Sequence, residues 1–264
     1  MKPILVKLLV LFSFLGMIAV NFLASTGIIN GISTGDVSNA YPNLFAPASF
    51  TFSIWGVIYL LLLFFVLYLF NVFGKFERES LVKKISILFI ISSLANIIWI
   101  FLWHYNFIGL TILFMITILI CLILIFESIL REKRPLTNKE YFFLRLPFSI
   151  YFGWITVALI ANITTFLVSI NWNGFGIENN VWMIIILIIG MIIGGLVAIR
   201  GRDVAYTLVL IWAYTGILFK HVSDTGFDLQ YIGVVTTVVL CITIFILIIG
   251  FLLRKHFTIS HSRF

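Results

Sequence analysis

Residues Lys83 to Arg134 read KKISILFIISSLANIIWIFLWHYNFIGLTILFMITILICLILIFESILREKR. Two apolar runs, 85 to 104 and 107 to 130, stand back to back with a short polar break at Tyr105-Asn106. Each is close to the roughly 20 residues that a helix needs to cross a bilayer. Bases flank the pair at both outer ends, as Lys83 and Lys84 before it and Arg131, Lys133 and Arg134 after it, and none lies at the break. Loops facing the cytoplasm are enriched in Lys and Arg, so this stretch is a hairpin of two crossing helices with both ends inside.

The same alternation extends outward in both directions. Further apolar stretches lie at 4 to 23, 49 to 73, 147 to 168, 181 to 199, 204 to 219 and 230 to 253. One face collects Lys2 and Lys7, then Lys75, Arg78, Lys83 and Lys84, then Arg131, Lys133, Arg134, Lys139 and Arg145, then Arg200 and Arg202, and finally Arg254, Lys255 and Arg263. Of the 17 Lys and Arg residues, only Lys220 falls on the other face, where the connections 24 to 48, 104 to 106, 169 to 180 and 220 to 229 carry Asp36, Glu178, Asp224 and Asp228. The expectation is an all-α polytopic membrane bundle of eight helices with both termini in the cytoplasm, in a plasma membrane of the bacterial inner-membrane type.

Composition excludes the main alternatives. With 62% hydrophobic and 10% charged residues, the chain cannot cover a soluble surface. Its net charge of +7 sits in juxtamembrane loops, where topology and anionic lipid account for it, so lipid and no nucleic acid is expected as partner. Cys121 and Cys241 fall mid-span and read as small apolar packing residues. The first span resembles a secretory signal, but its apolar run is long and Phe22 stands where a cleavage site prefers a small residue; a retained helix is expected. The pair Gly190 and Gly194 reads as close helix packing.

The spans hold almost no ionisable groups, which ion-coupled transporters and pumps normally carry. Glu127 lies within a turn of an inner helix end, Lys7 can snorkel, and Asp203 is placed to cap a helix. No zinc, nucleophile-elbow or phosphate-loop pattern occurs, so the sequence leans away from an enzyme without deciding the point. His104 and His221 read as interfacial polar residues, His104 being the obvious but disfavoured iron ligand, and His256 and His261 lie in the tail.

Polar and aromatic side chains remain. Asn96, Trp99 and Trp103 follow i, i+3, i+7 in the third span, and Trp154, Ala158 and Asn162 follow i, i+4, i+8 in the fifth; each set lines one helix face. Two readings stand. Either the stripes face one shared cavity with room beside Ala158 for something flat, or the amides bond across helices as packing and the indoles form an interfacial belt.

Three motifs resemble the TspO/MBR family, the tryptophan-rich sensory or translocator proteins. They are FAPASFTFSIWGVIY from Phe45 to Tyr59, Asn96-Ile97-Ile98-Trp99, and Trp154 with Ala158 and Asn162. The family's doubled Pro before the second helix is reduced to Pro47, with Pro42 upstream, and Pro147 stands seven residues before Trp154 where a shorter spacing is usual. The resemblance implies a five-helix core over 1 to 172, with residues 24 to 48 as a lid rich in Gly and Pro; the three additional helices and short cytoplasmic tail over 173 to 264 have no counterpart in it. A group of longer TspO-like proteins is expected to lie closer. The implied pocket binds flat lipophilic molecules, porphyrin or haem among them, with no cofactor required. Its residues would be Pro47, Phe52, Trp55, Tyr59, Asn96, Trp99, Trp103, Tyr151, Trp154, Ala158 and Asn162. A sensor or carrier follows; the alternatives are a permease for a small lipophilic or uncharged solute, an enzyme acting on bound pigment, and a purely structural partner. A homodimer is left open.

Overall fold

The computed structural model describes residues 3 to 74 and 77 to 261, with side chains from residue 4 to residue 254. Lys2, Lys75 and Arg263, and the side chains of Lys255, His256 and His261, therefore lie outside the described residues. Helices follow as α1 (Pro3–Ser25), α2 (Thr34–Asn39), α3 (Ile54–Leu69), α4 (Glu79–His104), α5 (Ile108–Leu130), α6 (Asn138–Glu140), α7 (Leu146–Ser169), α8 (Asn179–Gly201), α9 (Val204–Val222) and α10 (Ile232–His261). Among the described residues, eight helical stretches are long and apolar enough to cross a membrane. The chain is an all-α polytopic membrane bundle.

Helix ends follow from local chemistry. Asn71, Asn106 and Asn171, just beyond α3, α4 and α7, take positive φ of 61°, 61° and 53°, the left-handed turn that Asn tolerates better than most residues. Asp203 begins α9 by accepting a hydrogen bond from the Tyr206 N–H. At the start of α6, Thr137 and Glu140 form a capping box. Pro147, which lacks an N–H and crowds the preceding turn, is accommodated by a π turn over Tyr141–Arg145, closed by Leu146 N–H donating to Tyr141 O.

The chain forms two compact units, one of residues 1 to 42 and 53 to 169, the other of residues 43 to 52 and 170 to 264. The stretch 24 to 48, read from the sequence as one lid, is thus divided after Pro42.

In the first unit α1, α4, α5, α7 and α3 touch in that order and α3 returns to α1, closing a cycle. Its centre is filled by a layer of phenylalanines from four helices: Phe65 meets Phe148 at 4.9 Å and Phe89 at 5.6 Å, and Phe14 meets Phe89 at 6.3 Å between ring centroids. All four are buried. Seven residues further along α1 and α4, about two helical turns or 10 Å, Asn21 donates to Asn96 Oδ1 at 2.6 Å. The repeated spacing shows α1 and α4 running in parallel with matched layers.

The two ends of this unit are built differently. At one, Arg78 donates to Glu140 Oε1 (2.8 Å), Glu132 Oε2 (2.6 Å), Arg134 O (2.9 Å) and Pro135 O (2.8 Å). Burial opposes its charge, but hydrogen bonds to Glu140 and Glu132 outweigh that and raise its pKa above the ordinary Arg value. At the other, residues 30 to 42 fold over the end of α4. Trp103 Nε1 donates to Thr34 O at 3.1 Å, Asn30 Nδ2 donates to His104 O at 2.7 Å, and Val37 packs against Trp103 and Ile108. His104, expected at the interface, is fully buried under this cover, with Nδ1 on Ile100 O at 2.9 Å.

The second unit packs α8, α9 and α10 against one another. A Cβ on Gly194 would collide with the Leu210 side chain of α9, so this member of the Gly190 and Gly194 pair sits at a close contact. Cys121 and Cys241 are both buried free thiols.

Candidate ligand-binding site

In the first unit, directly beyond the phenylalanine layer, α3 and α7 present aromatic faces to each other. Trp55 and Tyr59 are four apart on α3 and stack at 5.4 Å with 21° between planes. Tyr151 and Trp154 are three apart on α7, and Trp55 meets them edge-on at 5.9 Å and 6.1 Å. Such tilted contacts match the quadrupoles of the rings and leave the group as a wall of broad apolar faces. Tyr151 and Trp154 are buried, whereas Trp55 and Tyr59 are half-buried.

Two buried hydroxyls lie in the same zone without a hydrogen bond. Tyr151 Oη lies beside the Asn96 amide but closes no bond to it, and Ser93 Oγ, one turn before Asn96 on the same face of α4, has no partner either. A buried polar group left unmade is costly, and most proteins have few.

The stripe on α4 does not face one way. Asn96 turns to Asn21 of α1, while Trp99 Nε1 donates to Asn162 Oδ1 at 2.9 Å and Asn162 Nδ2 donates to Thr111 Oγ1 at 2.7 Å. Trp99 also stacks on Trp103 at 5.4 Å and 20°. The two amides read from the sequence as facing one cavity are each committed to a different neighbour, and the packing reading describes their hydrogen bonds better. Ala158, between Trp154 and Asn162 on α7, is half-buried.

Of the residues expected at the site, Trp55, Tyr59, Asn96, Trp99, Trp103, Tyr151, Trp154, Ala158 and Asn162 belong to the first unit, with Trp55, Tyr59, Tyr151 and Trp154 brought together. Pro47 and Phe52 belong to the second unit. Sequence reading missed Asn21, Ser93 and Thr111. Asn21 carried a usable signal, being a lone amide near the end of an apolar run; a Ser or Thr within a helix carries none, because its hydroxyl is most often satisfied by its own backbone.

Five linked helices, an aromatic wall and amides bonded across helices define a multi-pass membrane protein with a partly polar interior in its first unit. The pattern of the TSPO-like protein family matches residues 7 to 251, and the chain belongs to that family. The match runs on through α8 and α9 into α10, so the three helices without a counterpart in the five-helix resemblance are part of this family's own pattern. No curated protein matches, and no solved structure does.

Proposed function

We propose that the protein binds flat lipophilic molecules of tetrapyrrole type inside the first unit, as a sensor or carrier in the plasma membrane. The supporting observation is the coincidence of the Trp55, Tyr59, Tyr151 and Trp154 faces with the uncommitted hydroxyls of Tyr151 and Ser93. Apolar faces supply the area for a planar ring system, and two neutral hydroxyls orient it. The end carrying Arg78, Arg131 and Arg134 faces the cytoplasm in this reading.

Titrating the purified chain with protoporphyrin, followed by quenching of tryptophan fluorescence, tests it. Trp154→Ala is expected to weaken binding tenfold or more, while Trp182→Phe, in the second unit and bonded to Gly174 O, leaves it unchanged. Equal affinity in the two variants would remove the proposed site. Net uptake of the same compound into proteoliposomes would replace the binder with a permease.

A further inference from the structure

The chain segment around Pro47, from residue 44 to residue 51, is held by α9. Trp212, Gly216 and Phe219 lie at i, i+4 and i+7, on one face of that helix. Trp212 Nε1 donates to Thr51 O at 2.9 Å, and Phe50 wedges edge-on between Trp212 (5.5 Å) and Phe219 (5.3 Å). The Ala48 N–H donates to Gly216 O at 3.0 Å, and His221 Nε2, one turn on, reaches Leu44 O at 2.9 Å. Carbonyls accept only, so His221 carries its proton on Nε2 here.

Gly216 makes the close approach feasible. A Cβ there would overlap the Thr51 side chain, which is fully buried against it. The segment also braces itself, with the Asn43 side chain accepting from the Phe45 and Ala46 N–H groups at 3.0 and 2.9 Å. Four residues of one helix therefore fix main-chain or side-chain groups of the segment from 44 to 51, far more than a connection between two spans needs.

We infer that α9 is the holder of this entrance segment, with Trp212, Gly216 and His221 as positioning residues that set where the chain enters α3. Only Phe52, Ser53 and Ile54 separate Thr51 from Trp55, so the held segment sets the start of the helix turn that carries that indole. The C-terminal helices then have a task in the first half of the sequence, at the stretch that carries the strongest family likeness. Its consequence for ligands rests on the binding site proposed above.

The test uses the full chain in nanodiscs. Gly216→Ala should speed amide hydrogen exchange across residues 44 to 51 at least tenfold and shift the resonance of 5-fluorotryptophan at position 55, assigned by its loss in Trp55→Phe. Adding Thr51→Gly removes the three atoms nearest the new methyl while keeping the carbonyl that Trp212 holds, and should restore both signals at least halfway. Trp212→Phe, which keeps the ring against Phe50 but loses the hydrogen bond, should give a smaller rise in exchange. With protoporphyrin, Gly216→Ala should accelerate dissociation several-fold and the double variant reverse it. Unchanged exchange in Gly216→Ala would overturn the clamp, and faster exchange with an unmoved Trp55 resonance would overturn its positioning role. A wild type that takes no protoporphyrin would sink the binding reading alone, because the exchange and fluorine signals need no ligand.

Discussion

The two ends of the five-helix unit are closed by opposite chemistry. One end is tied by charge, with Arg78 making four hydrogen bonds to two carboxylates and two carbonyls. The other is tied by neutral groups: an indole on a backbone carbonyl, an amide on another, and a chain running Trp99, Asn162, Thr111. A charge already clustered with its partners gives a fixed seal, since removing any member strands the rest. Neutral bonds each contribute little in a membrane, on average about 0.6 kcal/mol, and can be exchanged. The difference makes the charged end the anchor of the bundle and the neutral end the more yielding of the two.

Breaking the anchor should have the largest effect. Arg78→Met takes the bonded cation from Glu132 and leaves Glu140 only Arg134 at 3.6 Å, and stripping one partner from a buried pair costs about 3 to 5 kcal/mol. Glu132 is 33% exposed, so water relieves part of the loss and about 3 kcal/mol is expected. Unfolding of the variant by denaturant in detergent measures it. A loss under about 1 kcal/mol, the range of surface pairs, would show that this end is no firmer than the other.

At the neutral end, Asn162→Leu tests the amide chain. It strands the Trp99 N–H and removes the group that Thr111 accepts from, so about 1 to 2 kcal/mol should go. The same unfolding experiment reads it. A cost as large as that of Arg78→Met would erase the contrast between the ends.

Much of this architecture is legible in the sequence, because lipid demands about twenty apolar residues per crossing and places the bases between crossings. Partners are not legible in the same way. A lone Asn in a span announces that it must bond to something, yet nothing in the spacing of Asn96 says that Asn21 takes it and that Asn162 goes to Trp99 and Thr111 instead. Arg78 reads as a topological base, since its partners Glu132 and Glu140 lie 54 and 62 positions on and meet it only after two loops have folded. Thr137 and Glu140 did carry a local signal, the capping-box spacing. His104 reads as interfacial because its cover comes from residues 30 to 34, a stretch with no hydrophobic period to announce where it packs. The hold of α9 on residues 44 to 51 was hidden for a related reason: Gly216 in a span looks like any small packing residue until Thr51 is seen against it.

The smallest expected change in stability separates groups that hold the neutral end together from groups kept for a ligand. Tyr151→Phe deletes a buried hydroxyl that closes no hydrogen bond, so unfolding free energy should stay level or rise slightly. If a bound molecule uses that hydroxyl, the same variant should weaken protoporphyrin binding by about three- to tenfold, the worth of one neutral hydrogen bond. A variant that loses as much stability as Asn162→Leu would place Tyr151 among the structural amides and indoles. Unchanged stability with unchanged binding would leave the aromatic faces alone to recognise the ligand, and would move the search for its polar contact one helix away, to Ser93.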